Sequence, residues 1–458
     1  MDPRSIFIEL SYVVASVLFI LGLRGLTHPE TARRGMHLAE FGMLLAIVGT
    51  LVSREIVSYE WIIAGLLLGS LIGVPMGFWV PMTAMPQRTA LSHAFGAFAA
   101  ALVGISEYYL HGAALGVIKI PALSFEVLLG ALTTTGSLVA FSKLQGFLPG
   151  APVIYKGQNI FNLSLLAITV LCCVLLQFFP GIAALFYLML LLAFVFGVLL
   201  VLPIGAADMP VVIALLNSYA GLASAATGIV IGNNVLIIAG MLDGGSGFIL
   251  SIVMCRAMNR SITNVLFGAF GSVGETTTAA TGQMHATNIE EVAVQLAYAR
   301  QAVFVPGYGM ATAQAQHVLR QLGDELEERG VAVKYAIHPV AGRMPGHMNV
   351  LLAEANVPYS QLNELEIINP EFPSTDVAVV IGANDVVNPD ARDNPKSIIA
   401  GMPILEVDKA KTVVVLKRGQ GKGFSGLVNP LFFKTNCGML YGDAKETLTN
   451  LVQAVHNA

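Results

Sequence analysis

Apolar residues run through the first 260 positions in stretches of about twenty, broken by short polar turns. A bilayer core about 30 Å thick needs roughly 20 apolar residues per helix. Nine stretches meet that length, at roughly 6–26, 35–53, 58–80, 87–110, 123–146, 160–178, 181–202, 207–230 and 233–255. The first carries no small-residue cleavage site and is followed at once by further apolar segments, so it reads as a spanning helix rather than a removed leader. Beyond residue 290 the pattern changes. Ala302–Val305 and Val331–Ile337 are strand-like apolar runs with a helical segment between them, and Val377–Ile381 and Thr412–Leu416 add two more strands. A helix is expected from His347 to Asn356. That is a βαβ beginning to a doubly wound sheet. The segment between, about 261–290, holds Gly271, Gly274, Thr276 to Thr278 and Gly282, with the short apolar stretch Val265–Phe270, and reads as a flexible connection. The expected organisation is a bundle of about nine membrane helices (1–260), a linker (261–290) and an α/β Rossmann-like domain (291–458).

Composition sharpens this division. The chain of 458 residues is 55% hydrophobic and only 12% charged, against about 25% charged in soluble domains. Residues 1–260 carry 11 Lys/Arg and 10 Asp/Glu, while the shorter remainder carries 14 and 19. A net charge of −4 and the lack of a basic-aromatic patch give no support to nucleic-acid binding. Cys172, Cys173, Cys255 and Cys437 form no CxxC pair and lie near no histidine cluster, so neither a zinc site nor a disulfide framework is indicated. Cations also orient the spans. Arg24, Arg33, Arg34, Arg88, Lys143, Lys156, Arg256 and Arg260 fall on one side, and only Arg4, Arg54 and Lys119 on the other. The positive-inside rule then puts the N-terminus outside and the C-terminal domain in the cytoplasm.

Polar groups inside spans are costly and mark candidate function. His93 stands out, because imidazole takes up and releases protons near neutral pH. Asp208 opens a span just before Pro210, where capping is an equal explanation, and Asn217 follows on another face of the same helix. His37, Glu40 and Asp243 read more simply as caps or helix-to-helix hydrogen bonds. Gly65, Gly69, Gly73 and Gly77, four apart, suit close helix packing.

In the C-terminal part, Gly307-x-Gly309 sits at a strand-to-helix turn, the context of a dinucleotide fingerprint, although Thr312 stands at the third glycine position. A helix N-terminus there would offer free N–H groups to a pyrophosphate. The second strand ends in Ile337-His338-Pro339, without the carboxylate that binds the 2′-hydroxyl of NAD. Lys417-Arg418, after a strand and before the glycine-rich Gly419–Gly426, suits a 2′-phosphate instead.

Several strings together are specific: Ala206-Ala207-Asp208-Met209-Pro210-Val211-Val212 with Leu216-Asn217-Ser218-Tyr219, Met254–Arg260, Pro306–Ala311, His338–Arg343, Pro345–Ala355, Ile381–Asp385, Asn429–Lys434 and Gly442–Lys445. They resemble the β subunit of proton-translocating NAD(P)+ transhydrogenases, nearly end to end. The resemblance implies hydride transfer from NADH to NADP+ coupled to inward proton movement, producing NADPH. It implies NADP(H) bound by this chain and NAD(H) by a separate α subunit, in an assembly that is a dimer, in a bacterial inner membrane. It implies nucleotide contacts from Gly307, Tyr308, Gly309, Met310, Ala311, Arg343, Gly382, Asn384, Asp385, Lys417, Arg418 and Phe424, the last where the family has Tyr. His93 and Asn217 fall on proton-path positions, with Asp208 as a coupling candidate. A transporter or channel regulated by a nucleotide-binding domain is the alternative, with the sparse charge in the spans favouring protons over a bulky solute.

Overall fold

The computed structural model describes residues 3–458 except 54–55, 57, 113–114, 117, 151, 206–207, 259–260, 268–282, 344–345, 396, 398 and 420–426, and leaves aside the side chains of 29, 30, 82, 264 and 267. Arg260, Gly271, Gly274, Thr276 to Thr278, Gly282, Gly421, Gly426 and Phe424 therefore lie outside the described residues.

The apolar stretches become nine long helices among the described residues: α1 (Pro3–Gly25), α2 (Pro29–Leu51), α3 (Glu60–Phe78), α4 (Met85–His111), α5 (Lys119–Gln145), α6 (Gln158–Phe178), α7 (Ala183–Val201), α8 (Met209–Ile231) and α9 (Asn234–Ala257). Eight of them are long and apolar enough to cross a membrane. The other, α2, carries Arg33, Arg34, His37 and Glu40 in its first turns, which dilutes its apolar character. It packs along α1, with Tyr12 Oη 2.9 Å from Thr50 Oγ1. A short α10 (Ile262–Phe267) follows the bundle.

Burial separates helices that hydropathy alone treats alike. Most of α5 and α8 is buried, whereas α3 has no buried residue. The small and hydroxyl side chains of α5, such as Gly130, Thr133, Thr134 and Ser137, allow neighbours on all sides. The glycine row of α3 does not serve that purpose among the described residues. A Cβ at Gly65, Gly69, Gly73 or Gly77 would meet nothing within 4 Å. Lys143 corrects another expectation. It is not a loop cation but part of α5, 3% exposed, and its ammonium donates to the carbonyls of Leu202 and, at 2.7 Å, Ile204. Those carbonyls lie just beyond the last turn of α7, a favourable place for a positive charge.

The C-terminal sheet has seven parallel strands: β1 (His285–Ala286), β2 (Gln301–Pro306), β3 (Ala332–Ile337), β4 (Leu362–Glu364), β5 (Val377–Ile381), β6 (Thr412–Lys417) and β7 (Cys437–Tyr441). Their order is β1-β7-β6-β5-β2-β3-β4. β2 and β5 are adjacent although three strands apart in sequence, so the winding reverses between them. Every residue of β5 is buried, as a central parallel strand covered on both faces requires. Helices α11 (Ile289–Ala297), α12 (Tyr308–Thr312), α13 (Gln316–Glu328), α14 (His347–Glu354), α15 (Leu365–Ile368), α16 (Asp390–Asp393) and α17 (Ala444–Asn457) complete the region. The single helix expected after Gly309 is two helices, because Gln314 takes a left-handed conformation, φ 50°, that breaks the run. Within the segment expected as linker, β1 pairs with β7 and Asn288 caps α11 by accepting from Glu291 N.

The chain divides into two compact units. One comprises Met1–Pro81, Gln87–Ala206 and Val212–Ser251, the other Met82–Pro86, Ala207–Val211 and Ile252–Ala458.

Candidate functional site

Chemistry-bearing residues gather in two places. The first lies in the helical bundle. Asn217 Nδ2 donates to Asp243 Oδ1 at 3.0 Å, joining α8 to α9. Ser218 Oγ donates to Gly244 O at 2.7 Å beside it. The helices can approach this closely because of Gly247. A Cβ there would sit 2.8 Å from Ser218 N and 3.0 Å from Asn217 Nδ2. Asp243 is also near enough to His93 on α4 for their charges to interact. His93 Nδ1 is buried with no hydrogen-bond partner among the described residues. The structure thus places a basic nitrogen, a carboxylate and an amide on three helices in one neighbourhood. Asp208 precedes α8, and its carbonyl accepts from Val211 N at 3.1 Å. His37 is engaged with Glu40 at 2.9 Å on exposed α2.

Glu126 was not singled out from the sequence. It is fully buried in α5 and accepts from Thr227 Oγ1 of α8 at 2.7 Å, while its second oxygen has no partner among the described residues. A carboxyl in the middle of an apolar run was the available signal.

The second gathering lies at the C-terminal ends of β2, β5 and β6, where open α/β sheets bind ligands at the point of winding reversal. Gly307 and Gly309 follow β2, Gly382, Asn384 and Asp385 follow β5, and Lys417 ends β6. Gly307 N donates to Ile381 O and Gly309 N to Gly382 O, each at 2.9 Å. These two amides therefore tie adjacent strand ends together and are not free for a pyrophosphate. The glycines serve approach: Gly382 has φ 64°, and a Cβ on Gly309 would lie 2.6 Å from Gly382 Cα. α12 is only five residues long, so its end carries little of a helix dipole.

Arg343 lies 4.4 Å over the Tyr308 ring, a cation–π contact that fixes the guanidinium beside the β2 turn. Met310 and Ala311 are buried and anchor that turn. Lys417 Nζ lies 4.7 Å over the Phe432 ring. Burial lowers the Lys417 pKa, and the Asp385 carboxylate opposes that shift. Arg418 is exposed. Asn429, noted in the sequence only as the start of the string Asn429–Lys434, is buried and donates to Asn384. These groups suit a dinucleotide phosphate: a glycine-lined crevice, cations at its rim, and a buried amide nitrogen of Asn384 without a partner among the described residues.

Two histidines hold the loop that carries Arg343. His338 Nε2 donates to Pro403 O at 2.7 Å, and its Nδ1 accepts from Val340 N at 3.2 Å. His347 Nδ1 accepts from Arg343 N at 3.0 Å. Burial pushes both pKa values down to about 4, with Arg343 adding to the shift at His347. Unfolded, each imidazole takes up a proton near pH 6.5. Their stabilisation is therefore full above about pH 6.5 and is lost as pH falls toward 4, by on the order of 3 kcal/mol each. Denaturation of the full chain followed between pH 7 and 4 should show stability rising with pH. A flat profile would show that neither ring is held neutral.

A family model described as NAD(P) transhydrogenase beta subunit matches residues 8–454. Among curated proteins, NAD(P) transhydrogenase subunit beta of Rhodospirillum rubrum is 49% identical, covering 97% of this chain and 98% of that protein. The same subunit from R. rubrum strain ATCC 11170 matches to the same extent.

Proposed function

Because this chain belongs to the NAD(P) transhydrogenase β-subunit family, we propose that its crevice at the ends of β2, β5 and β6 holds NADP(H), and that His93, Asp243 and Asn217 serve proton passage. The family's function is proton-coupled hydride exchange between nicotinamide nucleotides, and an α subunit is the implied partner. The regulated transporter or channel is not favoured.

The observation that carries the nucleotide reading is the convergence of Gly309, Gly382, Asn384, Asp385 and Lys417 at one winding reversal. Preference for NADP(H) rests on Lys417 and Arg418, and on the end of β3 at Ile337-His338, which offers no carboxylate to a ribose hydroxyl. When bound, the nucleotide supplies the hydride chemistry, and the chain supplies binding, orientation and shielding from water. Arg343, held over Tyr308, is placed to meet phosphate charge. In the bundle, His93 takes up and releases the proton, Asp243 balances its charge, and Asn217 orients that carboxylate. Asp208, just before α8, and Arg256, in the last turn of α9, are the candidates for passing nucleotide state to the bundle. Residues 1–260 form the membrane domain and 291–458 the nucleotide domain of this reading, with the N-terminus periplasmic and the C-terminal domain cytoplasmic in a bacterial inner membrane. NAD(H) is bound by the α subunit, and the assembly is a dimer.

The chain alone should bind NADP(H) yet catalyse no hydride exchange with an NAD analogue until an α subunit is added. Purified full-length chain in detergent, assayed with and without that partner, tests this. Robust exchange by the chain alone would overturn the division of labour.

A further inference from the structure

Every amide side chain has one donating and one accepting end, and its neighbours decide which way it turns. At the proposed nucleotide crevice two amides are linked so that backbone groups settle both orientations. Asn429, 1% exposed, receives the N–H of Leu431 on its Oδ1 at 3.0 Å. A backbone N–H only donates, so that end of Asn429 is oxygen. Its Nδ2 faces the backbone carbonyl of Asn384 at 3.0 Å, which only accepts. The same Nδ2 lies 3.1 Å from Asn384 Oδ1. The end of the Asn384 amide that meets Asn429 must therefore be its oxygen. What remains is Asn384 Nδ2, buried and with no partner among the described residues. A buried donor left unpaired is costly, and this one stands three residues past the end of β5 at the winding reversal.

We propose that Asn429 is a positioning residue that locks Asn384 as a hydrogen-bond donor toward an acceptor oxygen of the bound nicotinamide nucleotide. This rests on the nucleotide-site reading above.

Replacing Asn429 by Asp reverses the logic. A carboxylate cannot donate to Asn384; it attracts the Asn384 NH2 and turns the carbonyl toward the nucleotide. With full-length chain in detergent, Asn429→Asp should weaken NADP+ binding by about tenfold or more, as should Asn384→Ala, the loss expected for one hydrogen bond with its partner left unpaired. Should Asn429→Asp not fold, Asn429→Ala removes the amide without adding charge. The decisive readout is the double variant Asn384→Ala/Asn429→Ala. If Asn429 acts through Asn384, it binds NADP+ no more weakly than Asn384→Ala alone. Wild-type affinity in both Asn429 variants, or fully additive losses in the double variant, would overturn the proposal. Absence of NADP+ binding by the wild-type chain would remove the nucleotide-site reading itself, and this inference with it.

Discussion

His93→Ala should yield a chain that still binds NADP(H) but, reassembled with its α subunit in vesicles, moves no protons and exchanges hydride slowly. Imidazole is the side chain in these spans whose ordinary pKa lies near the working pH. His93 Nδ1 is buried without a partner among the described residues, and Asp243 lies in the same neighbourhood. Alanine removes the titrating atom and leaves the carboxylate uncompensated. Asn217 cannot replace it, because an amide does not titrate and its Nδ2 is already committed to Asp243. Vesicle acidification recorded alongside hydride transfer is the measurement. Pumping at the wild-type rate would make His93 a packing residue.

Replacing Lys417 and Arg418 together by Ala should erase the preference for NADP+ over NAD+. Each charge-assisted contact contributes about 1.5–3 kcal/mol, so two amount to a loss on the order of a hundredfold to ten-thousandfold in NADP+ affinity. Lys417 is held in place by Phe432 and sits beside Asp385, while Arg418 is exposed. The single replacement at Lys417 should therefore cost the larger share. Calorimetry with both nucleotides on the full chain measures the ratio. Equal affinities in the wild type would contradict the assignment of the crevice to NADP(H).

The sequence was a good guide wherever one periodicity dominates. The apolar stretches became helices, and the all-apolar Val377–Ile381 became the central strand. It was a poor guide to which helices are interior. α3 and α5 both satisfy membrane hydropathy, and only packing distinguishes the glycines of α3, which have no neighbour among the described residues, from the buried ones of α5. β7 was missed because Gly438 interrupts a run of five residues, and β1 because two residues make no pattern. At the site, Gly307 and Gly309 were found for one reason and serve another, since strand-to-strand hydrogen bonds that consume their amides leave no trace in a local motif. Asn429 before a proline looks like any turn residue. Its partner Asn384 lies 45 positions away, and no local spacing links them.

The pairing of His285 and Ala286 with Gly438 and Met439 has a consequence for the margin of the C-terminal sheet. A strand at a sheet's margin presents unpaired amides and carbonyls that can recruit another chain. Here the polypeptide occupies that margin with its own approach segment, and Thr287 N adds a bond to Met439 O at 3.0 Å. A fragment begun at residue 291 would lack this guard and the Asn288 cap, leaving β7 open to intermolecular pairing. Two residues that look like the tail of a linker thus occupy part of the β7 margin.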